Sequence, residues 1–69
     1  MEQLSRMPAR AIRPEAGINL VSLLSSGDAK YLVCVDDRES QTVYWRVDTV
    51  SEFRELSGYS KTDWYAVPR

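Results

Sequence analysis

Residues 30–48 read KYLVCVDDRESQTVYWRVD: two apolar runs parted by a polar turn, with a helix start directly behind them. Residues 31–35 (Tyr31, Leu32, Val33, Cys34, Val35) and 42–47 (Thr42, Val43, Tyr44, Trp45, Arg46, Val47) are rich in β-branched and aromatic side chains. Such side chains pack well on a pleated surface, so both runs are predicted to be strands. Between them, residues 36–41 hold three acids, one arginine and two neutral polar residues, the composition of a solvated turn. The stretch predicts an antiparallel hairpin, and the rest of the chain has to complete a sheet around it.

Downstream, Thr49 is followed three residues later by Glu52, which is the spacing of a capping box. The Thr49 hydroxyl would accept from the Glu52 N–H while the carboxylate reaches back to the Thr49 N–H. A helix then runs through Phe53 and Leu56 and stops at Gly58, the residue best suited to a left-handed cap. Val50, Phe53 and Leu56 share one side of it and must lie on the sheet, while Ser51, Glu52 and Glu55 point largely away. Residues 60–62 read as a connection, and Asp63 to Val67 as a final strand.

Upstream, residues 17–25 (GINLVSLLS) admit two readings. Ile18, Val21 and Leu24 fall at i, i+3 and i+6, which suits a short helix opening at Pro14. Against a helix, the run is short, Gly17 would sit in its first turn, and the cluster Ser25-Ser26-Gly27-Asp28 leads straight into the Lys30 strand. A strand, forming a first hairpin with residues 30–36, is preferred. The predicted fold class is therefore α+β: a small antiparallel sheet in the order β-β-β-α-β, with one short helix packed on one face. Residues 14–69 make a single small domain. Residues 1–13, interrupted by Pro8 and lacking an apolar period, are expected to be a flexible arm. That arm is basic, with Arg6, Arg10 and Arg13 against Glu2 alone, whereas residues 14–69 carry six basic and nine acidic side chains.

Sixty-nine residues make one domain at most, and a chain of this length needs support from disulfides, metal or a partner chain. Cys34 is the only cysteine and histidine is absent, which excludes an internal disulfide and a Cys/His metal cluster. Oligomerisation remains, so a homodimer is expected. The net charge of −1 gives no overall attraction to nucleic acid or anionic membrane. No apolar run is long enough to span a bilayer, and the opening MEQLSRMPARAIRP lacks the apolar core of a secretory signal. With one cysteine, this predicts a cytoplasmic setting and no membrane association.

Catalytic chemistry finds little to work with. Without histidine the usual general base is missing. Cys34 lies mid-strand among apolar neighbours, where a thiol is inert. Asp36, Asp37 and Glu39 cluster in one turn without the ligand spacing or glycine of a calcium loop. Gly17, Gly27 and Gly58 are isolated and cradle no phosphate. The chain is expected to be no enzyme and to carry no cofactor or metal.

Binding chemistry is better represented. Neighbouring strand residues point to opposite sides of a sheet, so Tyr44-Trp45 and Trp64-Tyr65 each place one ring on each face. One short helix covers only one of those faces. With Val43, Trp45 and Val47 toward the helix, Tyr44 and Arg46 point outward and are joined by a ring from Trp64 or Tyr65. Tyr44, Arg46, Trp64 and Tyr65 are the candidate partner-binding residues, since aromatic residues and arginine dominate interface hot spots. Self-dimerisation and a foreign partner compete for this face. The alternative is a small nucleic-acid-binding regulator whose sheet aromatics stack bases while Arg6, Arg10 and Arg13 hold phosphates. Counting against it, residues 14–69 have a net charge of −3, and phosphate affinity grows with the charge neutralised.

In size and composition over its whole length the chain resembles the small proteins with which bacteriophages disable host machinery, such as anti-CRISPR proteins and quorum-sensing anti-activators. The resemblance implies a cytoplasmic, non-enzymatic, often dimeric inhibitor that occupies a functional surface of a host protein. It carries over no functional residue.

Overall fold

The computed structural model describes residues 1–37, 40–59 and 62–69. Parts of the turn expected at 36–41 and of the connection expected at 60–62, namely Arg38, Glu39, Ser60 and Lys61, lie outside the described residues. The elements in chain order are β1 (Glu2–Leu4), α1 (Leu20–Ser26), β2 (Ala29–Asp36), β3 (Val43–Val47), α2 (Val50–Ser57) and β4 (Thr62–Pro68). The domain is α+β, with an open four-stranded antiparallel sheet in the order β1-β3-β2-β4 and two helices.

The central hairpin forms as its composition demands, with Leu32 opposite Val47, Cys34 opposite Trp45 and Val35 opposite Tyr44. On the other side of β2, Leu32 faces Ala66 and Cys34 faces Trp64. Those registers put Leu32, Cys34, Trp45, Val47, Trp64 and Ala66 on one face, and this is where both helices pack. Ala29, Leu32, Cys34, Val47, Leu56 and Ala66 form the buried cluster, with Leu20, Leu23, Leu24 and Phe53 laid against it. Complete burial of a side chain such as Leu32 or Val47 contributes roughly 1.5–3 kcal/mol, so this layer is the main source of stability.

Helix α2 opens as its spacing predicts. The Glu52 N–H donates to Thr49 Oγ1 at 3.1 Å, and the Thr49 N–H donates to Glu52 Oε1 at 3.2 Å. Its end differs from expectation: Gly58 stays right-handed at φ −75° and ψ −9°, and the Tyr59 N–H donates back to the Leu56 carbonyl at 3.2 Å.

Residues 17–25 correct the expected strand order. Leu20–Ser26 is a helix, and the predicted first hairpin with 30–36 does not form. Asn19 is the reason at the N-terminus, since its side-chain oxygen accepts from the Ser22 N–H at 3.2 Å. Gly27 is the reason at the other end, because its φ of 80° supplies the left-handed cap. The helix also gathers Leu20, Leu23 and Leu24 on the core side, whereas a strand would have split Leu20 and Leu24 from Leu23. Both slots beside β2 are already taken, by β3 and β4. The order is thus β-α-β-β-α-β, with two helices on the packed face rather than one.

Where a flexible arm was expected at residues 1–13, the structure has β1 paired with β3 at one sheet edge, Glu2 opposite Arg46 and Leu4 opposite Tyr44. At the opposite edge Ile12 exchanges two backbone hydrogen bonds of 2.9 Å with Ala66. Residues 5–11 must therefore pass from one edge to the other. Pro8, Ala9 and Arg10 lie beside Tyr31 and Val67, which places the crossing on the face without helices. Val33 and Val67, both on that face, are 0% and 6% exposed. The apolar second face, which the sequence assigned to a partner, is covered in part by the chain's own N-terminal segment.

Candidate functional site

The helix-free face carries Tyr31, Val33 and Val35 from β2, Tyr44 and Arg46 from β3, and Asp63, Tyr65 and Val67 from β4. Its organisation follows from pairing. Val33 lies at the centre, flanked in register by Arg46 on one side and Tyr65 on the other.

Arg46 is held in a fixed pose. Its Nε donates to both carboxylate oxygens of Asp48 at 3.1 Å, and a terminal nitrogen reaches Asp48 Oδ1 at 3.1 Å. Its guanidinium carbon lies 4.0 Å from the centroid of the Tyr31 ring, a close cation–π stack. The hydrogen bond to Asp48, opposed by partial burial, raises the Arg46 pKa, so the group stays charged at any pH the fold meets. A second arginine–tyrosine contact lies across the sheet. Arg13 donates to the Tyr65 hydroxyl at 3.4 Å and to Asp63 Oδ1 at 3.5 Å, with its guanidinium carbon 5.6 Å from the ring centroid. This pair is looser, and with both charged side chains well exposed its ion pair is screened.

Of the sequence-predicted patch, Tyr44, Arg46 and Tyr65 share the helix-free face. Trp64 does not. It points to the helix side, where its ring sits 4.7 Å from that of Phe53 at 52°, a tilted aromatic pair inside the packed layer. The arginines expected to act together as an arm are separated. Arg13 joins Tyr65 and Asp63, Arg10 lines a hollow at the end of the sheet, and Arg6 is exposed. Tyr31 is the site residue missed from sequence. Its signal was available, because it shares strand parity with Val33, the residue in register with Arg46.

Concave regions lie along β4, and two of them matter for binding. One, of about 330 Å³, is a mainly apolar groove whose walls include Ile12, Pro14, Ile18, Leu23, Ala66 and Pro68. Ile12 and Ile18 are 56% and 43% exposed there. The other, of about 250 Å³, lies between Arg10, Lys30, Tyr31 and Arg69. Among the described residues, no group of three or more His, Cys, Asp and Glu is placed to hold a metal ion. No helix among them is long and apolar enough to cross a membrane. Comparison with protein-family models, with curated proteins and with solved structures finds no match to this chain.

Proposed function

We propose that this domain is a non-catalytic protein-binding module that captures its partner on the helix-free face of the sheet. The observation that supports it best is the pre-set arginine–tyrosine surface. Arg46 is stacked on Tyr31 at 4.0 Å and clamped by Asp48, with Tyr44 next to it on β3 and Tyr65 across Val33. Tyrosine and arginine are hot-spot residue types, and side chains already fixed in one pose lose little entropy when a partner covers them. The surface is half-buried, so it suits a partner that settles over a shallow relief. By this reading the protein acts by steric occlusion, as the phage inhibitors that it resembles in size do.

The nucleic-acid alternative has weaker support on this face, because Arg13 and Arg46 are each matched with a carboxylate. A base-stacking surface needs arginines with charge to spare for phosphates. A self-dimer through this face has little apolar area to hide, since Val33 and Val67 are already buried in one chain.

The test is capture from a nuclease-treated bacterial lysate on the immobilised chain, read by mass spectrometry. A stoichiometric protein that is retained by the wild type and by Arg54→Ala, but lost by Arg46→Ala and Tyr65→Ala, supports the reading. Capture indifferent to Arg46 and Tyr65, or abolished by nuclease, rejects it.

A further inference from the structure

At the end of the sheet where β2 begins and β4 finishes, three cations converge from three separate parts of the chain. Arg10 comes from the segment that crosses the helix-free face, Lys30 from β2, and Arg69 from just beyond β4. Each is set there by local structure. A turn closed by the Ala11 N–H on the Pro8 carbonyl, at 3.1 Å, brings Arg10 to the rim. Ala29 pairs with Pro68 and Tyr31 with Val67, so Lys30 is the extra residue of a β-bulge, a device that re-aims a side chain. Arg69 is anchored by its Nε, which donates to the Gly27 carbonyl and leaves its terminal nitrogens unused by that bond.

The hollow between them has a volume of about 250 Å³, with Tyr31, Val67, Pro8 and Pro68 in its walls and no Asp or Glu side chain. Among the described residues, none of the three cations is in an ion pair, unlike Arg13 and Arg46. With basic side chains and no acidic ones in its lining, the hollow favours an anion over a cation.

We propose that this hollow is an oxyanion site that takes a single phosphate group, as inorganic phosphate or the phosphate of a small monoester. Phosphate rather than carboxylate follows from the arrangement. A lining with three basic residues and no acidic side chain suits the double charge and three terminal oxygens of a phosphate better than the single charge and two oxygens of a carboxylate. A compact ligand follows from size and field. The volume falls below the roughly 300 Å³ at which pockets for drug-sized ligands begin. Outside the three cations the chain carries six basic and ten acidic side chains, so a polynucleotide running past the hollow would meet a repelling surface. The proposal does not rest on the protein-binding reading: Tyr31 borders both sites, but none of the three cations belongs to the Arg46–Tyr65 surface.

The test is a titration of the ¹⁵N-labelled full chain with inorganic phosphate at constant ionic strength, followed by amide NMR. Saturable shifts are expected at Ala9, Arg10, Lys30, Tyr31, Val67 and Arg69, with half-saturation at or below about 1 mM. Arg10→Gln and Lys30→Gln, both exposed and away from the core, should each weaken binding by about tenfold or more. Arg54→Gln, exposed on α2, should leave it unchanged. Shifts that never saturate, that chloride reproduces at equal ionic strength, or that survive both variants overturn the proposal. Acetate binding as tightly as phosphate would mark a carboxylate site instead. A short single-stranded oligonucleotide that binds where phosphate does not would mark a nucleic-acid surface, and either result rejects the assignment.

Discussion

At Gly27 the backbone turns through φ 80° and α1 ends. An added Cβ would meet Arg69 Nε at 3.5 Å, an ordinary contact, so the cost of a side chain there comes from the backbone. Gly27→Ala should lower stability by about 1–2 kcal/mol, read as a fall in the urea midpoint at unchanged slope. Gly58 is the counter-case, right-handed and with open space around its missing Cβ. Gly58→Ala should therefore raise stability by about 0.4–1 kcal/mol through the unfolded chain. Equal losses at both positions would contradict the two cap geometries. Trp64 and Tyr65 differ in the same residue-by-residue way. Trp64 stacks on Phe53 in the packed layer, so Trp64→Ala should cost roughly 3 kcal/mol in a denaturation experiment, as removal of a core aromatic does. Unchanged stability would return Trp64 to the outer face, one of the two sides the sequence left open to it.

Among the elements, α2 is the most tightly tied at its start. One Glu52 oxygen accepts from the Asp48 and Thr49 N–H groups at 3.0 and 3.2 Å, while the other meets the Met1 ammonium at 2.7 Å. The first residue of the chain is thereby fastened to the first turn of a helix near the other end of the sequence. Loss of the cap hydroxyl in Thr49→Ala should cost about 1 kcal/mol. The ion pair adds a pH dependence with two flanks. The hydrogen bond from the Met1 ammonium, backed by the Asp48 N–H, holds Glu52 below its ordinary 4.5. Its contribution is complete above that value and is lost as pH falls through the lower folded pKa. The Glu52 hydrogen bond raises the Met1 ammonium above its ordinary 8.0, so that contribution is complete below 8.0 and is lost as pH rises through the higher folded pKa. Thermal midpoints followed from acid to alkaline pH should fall less on both flanks in Glu52→Gln than in the wild type. Superimposable profiles would mean that the pair does not form in solution.

Over the whole molecule, the N-terminal segment behaves as part of the domain, joining both edges of the sheet and crossing the face between them. Deleting residues 1–11 should uncover Val33 and Val67 and cost about 3 kcal/mol or more, with increased binding of a hydrophobic dye. A truncated chain as stable as the full one would restore the flexible arm. The hairpin, the capping box of α2 and the final strand were legible in the sequence, because composition, side-chain spacing and short-range hydrogen bonds specify them within a few residues. The face assignment of Trp45 and Val47 was legible for the same reason, since strand parity is a local property. The Asn19 cap of α1 was also written in the chain, but the short run at 17–25 carried both periods and left the choice open. For Trp64 and Tyr65, parity separated the two rings without saying which faced the helices. That waited on the pairing of Cys34 with Trp64. What the sequence by itself determined about this protein is therefore its local elements and their alternating faces. The tertiary structure decided between the two readings of residues 20–26 in favour of the helix, since both slots beside β2 are filled, and it laid part of the N-terminal segment over the second face. Residues remote in the chain must first be brought together before burial and pairing can favour either outcome.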